Sequence, residues 1–396
     1  MIQIAILGHG VVGTGTARMI EDNAAYIEKL VGEEVRVKYI LDIRDLPDSP
    51  WADRIVHDFS VILEDKEVAL VAELIGGSHP AFDFQKAALE AGKHVVTSNK
   101  ECVSKFGDTL LKIAAERGVC YRFEASCGGG IPLLSPLCSD LAVNRITEVS
   151  GILNGTTNSI LTKMFKEKAD FADALKEAQE KGYAERNPAA DIEGTDACRK
   201  INIISACVTG ILHDDSKIPT EGITAVRTAD VLSAHKAGYA VKLLGRMTGE
   251  HLYVAPHLVP YTCPLSHADD VFNAALAHGN FVGDVMFYGR GAGAEPTAAA
   301  VVSDIAYALK GIPCTTVWER KEEVADFADF ACPRYLACAQ SDAKALTEAL
   351  SCSFERVDAT EDEFACLTAS LTEAEVGQIK EKISLRAHLR VWESAK

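Results

Sequence analysis

The sequence lacks a hydrophobic run long enough to cross a bilayer, for which about 20 residues are needed, and it carries little positive charge. Lysine and arginine number 40 against 57 aspartate and glutamate residues, a formal net charge of −17. An acidic excess of this size argues against nucleic acid or an anionic membrane as partner. We therefore expect a small-molecule substrate, and no nucleic-acid or membrane partner.

Signals for zinc binding and for export are also missing. The twelve cysteines include no Cys-x-x-Cys pair and no cysteine–histidine group with zinc spacing, and several lie in apolar runs, as Cys207 does. They are expected to be reduced core residues. Met1 is followed directly by the strand-like Ile2 to Leu7, without a signal-type segment, so we expect a cytoplasmic protein.

The first third of the sequence has the pattern of a dinucleotide-binding sheet. Ile2 to Leu7 is an apolar run typical of a buried parallel strand, and Gly8-His-Gly-Val-Val-Gly13 follows at once. In this motif Gly8 allows a tight turn, Gly10 lets the backbone approach a pyrophosphate, and Gly13 permits close helix packing. The alternative is a glycine-rich turn in an α/β sheet that binds no nucleotide.

The second predicted strand, Val35 to Leu41, ends in two residues that bear on the choice of cofactor. Asp42 is suited to accept hydrogen bonds from a ribose 2′-hydroxyl. Arg44 lies on the same side of an extended chain and is suited to pair with a 2′-phosphate. The pattern therefore predicts NAD or NADP and leaves the choice open.

A lysine follows another strand of the same predicted sheet. His94 to Thr97 is an extended segment that ends in Ser98-Asn99-Lys100. Because ligands of open α/β sheets sit beyond the carboxyl ends of the strands, Lys100 is expected to face the cofactor. The alternative is an ordinary loop lysine.

A second lysine is preceded by a run of acidic residues. Glu185, Asp191, Glu193 and Asp196 lead up to Lys200. Asp196 and Lys200 are four residues apart, so on a helix they share a face. An ammonium held among carboxylates is suited to donate and recover a proton during carbonyl reduction. The alternative is a solvated helix start with an ordinary surface ion pair.

Together these stretches resemble the homoserine dehydrogenase family, whose NAD(P)-dependent members interconvert aspartate 4-semialdehyde and homoserine. The resemblance covers roughly residues 2 to 309, and the order and spacing of its motifs carry it. The matching motifs are Gly8 to Gly13, Glu73 to Gly77, Val95 to Lys100, Glu124 to Pro132, Gly151 to Asn158, Gly182 to Lys200 and Gly291 to Thr297.

The resemblance implies a role for each candidate side chain. Lys200 is the expected acid/base lysine, Asp196 its supporting carboxylate, and Lys100 a second lysine at the junction of cofactor and substrate. Glu185 and Asp191 are the expected substrate-side acidic residues, and Glu185 suits the α-ammonium of homoserine. The expected cofactor-binding residues are Gly8, Gly10, Val12, Gly13, Asp42, Arg44, Gly76, Ser98, Lys100 and Gly293.

The glycine-rich segment Glu124 to Pro132 has two readings. From the residues alone, Gly128 to Gly130 predict a flexible hinge. The resemblance adds a monovalent cation, usually sodium, with oxygen ligands of the kind that a hard ion needs. Its expected ligands are the Glu124 carboxylate and the backbone carbonyls of Cys127, Gly129 and Ile131.

The expected fold is α/β: a Rossmann-type doubly wound parallel sheet, a second α+β catalytic and dimerisation domain, and a small C-terminal ACT-like βαββαβ module. The expected ranges are 1–135 plus 294–315 for NAD(P) binding, 136–293 for the second domain and 330–396 for the module. In the second domain, Asn158 is expected to cap a helix that runs to about Lys168. The resemblance also implies a homodimer or a larger homo-oligomer.

Three alternatives remain open at this point. The turn Gln340 to Lys344 lacks the Pro-Gly that such modules often use, so the module either binds an amino-acid effector or only mediates association. Another amino-acid or hydroxy-acid dehydrogenase on the same scaffold would leave the array from Glu185 to Lys200 unexplained. A catalytically silent NAD(P)-sensing regulator would need only the cofactor half.

Overall fold

The computed structural model describes residues 1–394, and within them the chain folds into two compact units. The first unit comprises Met1–Val143, Asn202–Asp215 and Gly289–Glu322. The second comprises Asn144–Ile201, Ser216–Tyr288 and the described chain from Glu323 onward. No helix in residues 1–394 is both long and apolar enough to span a membrane. The domain ranges expected from the sequence stay a prediction.

Strands form the sheets of both units, and most of them are short. In chain order they are β1 (Ile2–Leu7), β2 (Val35–Leu41), β3 (Ile55–Val56), β4 (Val68–Glu73), β5 (His94–Thr97), β6 (Tyr121–Arg122), β7 (Ile146–Ile152), β8 (Ile211–His213), β9 (Tyr239–Thr248), β10 (His251–Pro260), β11 (Phe272–Gly279), β12 (Gly283–Arg290), β13 (Glu319–Lys321), β14 (Ala331–Cys332), β15 (Arg334–Ala339), β16 (Phe354–Val357), β17 (Glu363–Thr368), β18 (Leu371–Thr372) and β19 (Leu385–Val391).

Helices connect most of these strands. In chain order they are α1 (Val11–Asp22), α2 (Ala24–Val31), α3 (Phe59–Glu64), α4 (Ala81–Glu90), α5 (Lys100–Arg117), α6 (Leu134–Cys138), α7 (Gly155–Lys166), α8 (Phe171–Glu180), α9 (Ala189–Ile192), α10 (Thr195–Thr209), α11 (Thr228–Lys236), α12 (Ala294–Leu309), α13 (Ala343–Ala349) and α14 (Glu373–Lys382).

The first unit is built on a parallel sheet with the strand order β3-β2-β1-β4-β5-β6. The central strand β1 places Ile4 and Ile6 in a core that also contains Ala17 of α1 and Val301 and Ile305 of α12. A strand buried on both faces needs apolar side chains, which is why the fully buried part of β1, residues 4–7, is a continuous apolar run. The predicted Rossmann-type sheet is confirmed.

The second unit contains a mixed sheet with the strand order β12-β11-β7-β9-β10-β19-β15-β17-β16. Strands β7, β9 and β10 pair in antiparallel fashion, whereas β10 and β19 pair in parallel. The parallel pair joins His257 to Arg390 and Leu258 to Val391, and the amide of Trp392 donates to the Leu258 carbonyl over 2.8 Å. The C-terminal strands therefore continue the sheet that begins with β7.

The C-terminal residues contribute their own apolar core to this unit. The elements run β15-α13-β16-β17-α14-β19, with the short β18 before α14. Leu336, Leu346, Phe364, Val376 and Ile379 pack together between the strands and the helices. Side chains of β15, α13, β17 and α14 thus share one core, against which Leu385 of β19 packs.

Two arginines near the joint between β10 and β19 form ion pairs with Glu221 and Glu373. The Arg390 guanidinium donates to both oxygens of Glu221, over 3.0 and 2.8 Å, and to Glu373 over 2.8 Å. Arg334 also donates to Glu373, over 2.7 Å. Both arginines are buried, so these carboxylates compensate charges that water does not reach.

Candidate active site

The glycine motif forms the turn between β1 and α1. Gly8 has a φ of 97°, a left-handed conformation that favours glycine, and a Cβ on Gly13 would lie 1.9 Å from the Gly8 carbonyl oxygen. Gly10 faces open space, with nothing within 4 Å of the place of a Cβ. Glycine is therefore required at 8 and 13 by the turn itself, while Gly10 leaves room for a ligand at the start of α1.

A cavity of about 490 Å³ lies beside this turn in the first unit. The first turns of α1 contribute Val11, Thr14 and Arg18 to its lining, and the segment before α12 contributes Arg290 and Gly293. Gly293, an expected cofactor-binding residue, thus lies at the same cavity as the amino end of α1. A helix amino terminus beside an open cavity suits a phosphate group.

Asp42 and Arg44, the candidates for the ribose end of the cofactor, bind each other. Asp42 is buried and accepts hydrogen bonds from the His9 amide over 2.9 Å and from Nε and Nη2 of Arg44, each over 2.9 Å. These bonds, above all those from Arg44, hold the pKa of Asp42 well below its usual range. The Arg44 side chain remains 56% exposed.

Asn99 ties the turn that precedes Lys100 to the next loop of the sheet. Its side-chain amide donates to the carbonyls of Ile75 and Gly77, over 3.1 and 2.6 Å, and its side-chain oxygen accepts the Cys102 amide over 3.1 Å. Asn99 thereby caps α5, whose first residue is Lys100. The loops that carry the expected residues Gly76 and Ser98 are thus held together.

Glu73 supports the same loops from inside the first unit, and the sequence analysis did not single it out. Its side chain is 0% exposed and accepts Thr97 Oγ1 over 2.7 Å, the Ile75 amide over 2.7 Å and Gln85 Nε2 over 2.5 Å. Burial raises the pKa of its carboxyl to about 7. The available signal was an acidic residue at the end of an otherwise apolar strand.

Glu124, the expected cation ligand, caps a helix. Its carboxylate accepts the backbone amides of Leu133, Leu134 and Ser135 over 2.6, 2.8 and 2.6 Å, at the start of α6. Gly128 and Gly129 have left-handed φ angles of 75° and 58°.

The other expected cation ligands belong to this same turn of the first unit. They are Cys127, Gly129 and Ile131, each of them buried. Within residues 1–394, no group of three or more His, Cys, Asp or Glu side chains is arranged to hold a metal ion.

Lys200 and Asp196 form a buried pair on one face of α10 in the second unit. Lys200 is only 8% exposed and Asp196 only 4%. Lys200 Nζ donates to Asp196 Oδ2 over 2.8 Å. Nζ also donates to the Leu153 carbonyl over 2.8 Å. The alternative of a solvated surface pair is therefore wrong.

Asn154, which the sequence analysis did not identify as a site residue, joins two of the expected acidic residues. Its Nδ2 donates to Asp191 Oδ1 over 2.7 Å and to Asp196 Oδ2 over 2.8 Å. The other end of the amide, Oδ1, accepts the Thr157 amide over 2.9 Å and caps α7.

The expectation that Asn158 caps this helix was wrong. Asn158 lies inside α7, and its side-chain amide donates to the carbonyls of Ala268 and Phe272. The cap comes four residues earlier because β7 ends at Ile152 and leaves Asn154 at the helix entry. An Asn before Gly-Thr-Thr was the signal that could have identified it.

Glu185 occupies a different environment from this network. It lies between α8 and α9 with its side chain exposed, and its carbonyl accepts Gln179 Nε2 over 3.1 Å. Asp191, on α9, is half-buried. The structure thus brings Asp191, Asp196 and Lys200 together through Asn154 and leaves Glu185 at the surface of the second unit.

Comparisons with known proteins agree with one another. Residues 132–306 match the model of a family described as homoserine dehydrogenase, and residues 8–124 match the homoserine dehydrogenase NAD binding domain. The homoserine dehydrogenase of Neisseria gonorrhoeae is 41% identical over 311 residues, which are 77% of this chain and 71% of that protein.

Solved structures of homoserine dehydrogenases also match. One from Thiobacillus denitrificans has a TM-score of 0.90 at 32% identity, over 99% of this chain and 98% of that chain. A mutant of a hyperthermophilic archaeal homoserine dehydrogenase in complex with NADPH has a TM-score of 0.69 at 27% identity, over 79% of this chain and 98% of that chain.

The raised pKa of Glu73 predicts a pH-dependent stability. The Glu73 carboxyl binds its proton more tightly in the folded chain than in the unfolded chain, where its pKa is about 4.3. Ionisation of Glu73 therefore opposes folding. The free energy of unfolding should be highest below about pH 4 and should fall by up to about 4 kcal/mol as the pH rises through 7. Glutamine has no carboxyl proton to lose. The stability of Glu73→Gln relative to the unaltered chain should therefore be greater at pH 8 than at pH 5. Urea unfolding at both pH values measures this.

The matched control for that measurement is Glu90→Gln, which changes an exposed carboxylate on α4. It should keep the pH dependence of the unaltered chain. An identical pH dependence in Glu73→Gln and the unaltered chain would contradict the raised pKa.

Proposed function

Because the chain belongs to the homoserine dehydrogenase family, we propose that Lys200 is the acid/base residue of its reaction. The protein is an NAD(P)-dependent oxidoreductase that acts on the CH–OH group of homoserine and forms L-aspartate 4-semialdehyde, or reverses that step. Oxidation removes a hydride from the alcohol carbon and a proton from its hydroxyl. A bound nicotinamide supplies or accepts the hydride. The proton must pass to a group of the protein.

The buried ion pair of α10 supports this role for Lys200. Its ammonium is oriented by two acceptors, Asp196 Oδ2 and the Leu153 carbonyl, each 2.8 Å away. An ammonium with restricted motion and little water around it is suited to give its proton to an aldehyde oxygen, and as an amine to take it back. A bridging water would serve the same transfer, so direct contact is not required.

The acidic residues supply the complementary charge for the substrate. Homoserine carries an α-ammonium, and we assign its recognition to Asp191 and Glu185, with Lys100 as a further substrate- and cofactor-side cation. Asp191 is half-buried and held by Asn154, which favours a fixed contact. Exposed Glu185 would contribute charge at longer range.

Replacing Lys200 tests the proposal. Lys200→Ala should lower kcat by about 10²-fold or more, the usual scale of a general acid/base, because the proton loses its donor and acceptor. Coenzyme affinity, measured by fluorescence titration of NADPH, should change little. The control Lys236→Ala removes an exposed lysine of the same unit and should leave turnover intact. Unaltered turnover in Lys200→Ala would remove this lysine from the mechanism.

The turn around Gly8 to Gly13 supports nucleotide binding in the first unit. The cavity beside this turn offers a dinucleotide the amino end of α1 and Gly293. The loops after β4 and β5, which Asn99 holds together, offer it Gly76, Ser98 and Lys100. We propose that NADP(H) is preferred, and that Arg44 selects it. The exposed guanidinium suits a 2′-phosphate, while Asp42 is already occupied by Arg44 and the His9 amide.

Arg44→Ala should therefore change the choice of coenzyme. The KM for NADP should rise by about 10- to 100-fold, the effect of losing a charge-assisted hydrogen bond, while the KM for NAD should stay equal or fall. Initial rates with each coenzyme at saturating homoserine measure both. The control Arg36→Ala removes an exposed arginine from β2 and should alter neither. An equal rise for both coenzymes would assign Arg44 a structural role only.

We propose that the C-terminal residues form an ACT-like module. The order of its elements, βαββαβ, and the strand order β19-β15-β17-β16 support this assignment. Dimerisation and an amino-acid effector at the module stay predictions. Calorimetric titration of the full chain with threonine should give a saturable isotherm if the module binds it, and homoserine turnover should fall over the same concentration range. A flat titration would favour a module for association only.

The sodium site at Glu124 stays a prediction. A carboxylate offers about four lone-pair sites, and three backbone amides at the start of α6 already use three of them. The ion would have to receive the remaining one, together with the carbonyls of Cys127, Gly129 and Ile131. The left-handed turn at Gly128 and Gly129 supports a bend of the chain that could expose several carbonyls on one side.

A further inference from the structure

One neutral side chain lies among the charged residues of the second unit. Asn154 is buried, and its Nδ2 lies 2.7 Å from Asp191 Oδ1 and 2.8 Å from Asp196 Oδ2. Asp191 belongs to α9 and Asp196 to α10, so this amide joins carboxylates from two helices. Asp196 in turn accepts Lys200 Nζ on the same oxygen, Oδ2.

The orientation of the Asn154 amide is fixed from its other end. Oδ1 accepts the Thr157 backbone amide over 2.9 Å and the Thr157 hydroxyl over 3.1 Å. An amide that accepts at the start of α7 must direct its NH₂ group the opposite way. The capping bond of α7 therefore aims both N–H donors at the two carboxylates.

The charges explain why a neutral donor occupies this position. Asp191 and Asp196 are both carboxylates, and Asp196 accepts the Lys200 ammonium. Two carboxylates that approach one nitrogen repel each other, and each N–H offsets part of that repulsion. A carboxylate in the place of the amide would add a third negative charge beside Asp191 and Asp196 and would increase the repulsion.

We propose that Asn154 is a positioning residue that sets the spacing between Asp191 and the Asp196–Lys200 pair. This inference rests on the proposed roles of those three residues. The alcohol carbon of homoserine is separated from its α-ammonium by a fixed number of bonds. One amide that holds both the ammonium-binding carboxylate and the carboxylate of the acid/base lysine matches the two sites to that length.

Asn154→Ser separates positioning from folding. Serine is as good a helix cap as asparagine, so the hydroxyl should still accept the Thr157 amide, while both donors to the carboxylates are lost. We expect the KM for homoserine to rise about 10-fold or more and kcat to fall. The KM for coenzyme should stay close to that of the unaltered enzyme.

Asn154→Asp provides a second readout that a purely structural role would not produce. The introduced carboxyl has the size of the amide and keeps the cap, but when ionised it repels Asp191 and Asp196. When protonated it again offers an O–H donor. Activity relative to the unaltered enzyme should therefore recover as the pH falls from 8 to 5.5, measured as kcat/KM for homoserine.

Asn158→Ser is the matched control, because Asn158 lies on the same helix and donates to backbone carbonyls and not to the carboxylates. Asn158→Ser should lower the thermal midpoint and leave the KM for homoserine close to that of the unaltered enzyme. If Asn154→Ser keeps the unaltered KM and kcat, the positioning role is overturned, and so it is if the relative activity of Asn154→Asp does not depend on pH. Lys200→Ala in the same assays tests the acid/base role separately, since that role survives a negative result at Asn154.

Discussion

The structure around α10 depends on keeping one ammonium and its carboxylate out of water. Charges removed from water need partners at hydrogen-bonding distance, or the fold loses several kcal/mol for each of them. Lys200 meets this requirement with Asp196 and the Leu153 carbonyl, and Asp196 meets it with Lys200 and Asn154. Strand β7 therefore has to end at Ile152, because the residues that follow it supply both the Leu153 carbonyl and the Asn154 side-chain amide.

The first unit solves a related problem with uncharged groups and one carboxyl. The ends of β4 and β5 carry loops that must stay in register with each other, and Asn99 and Glu73 bind these loops through short hydrogen bonds. Loops held by buried bonds lose less conformational entropy when a ligand arrives. A rigid rim at the carboxyl edge of the sheet fits a coenzyme that must present its nicotinamide in one orientation.

The sequence predicted the features that depend on local pattern. Strand β1 and the turn from Gly8 to Gly13 were evident because burial on both faces demands apolar residues and the turn demands glycine. The burial of Asp196 and Lys200 was not evident, since a spacing of four residues looks the same on a solvated helix. Their burial comes from Leu153 and Asn154, more than 40 residues earlier in the chain.

Other features required the arrangement of the chain in space. Asp42 and Arg44 were weighed as alternative contacts for a cofactor, and only coordinates showed that they bind each other. Glu73 was overlooked because its partners Thr97 and Gln85 come from the next strand and helix. The helix cap at Asn154 was missed because the end of β7 decides which asparagine stands at the helix entry.

The parallel pairing of β10 with β19 determines which strand forms the edge of the sheet. An unpaired strand edge presents a row of amides and carbonyls that recruits strands from neighbouring molecules. Strand β19 covers that edge of β10 along His257 and Leu258, and the short β16 ends the sheet on the far side. The described C-terminal residues thus move the edge of the sheet from β10 to β16, a strand of only four residues.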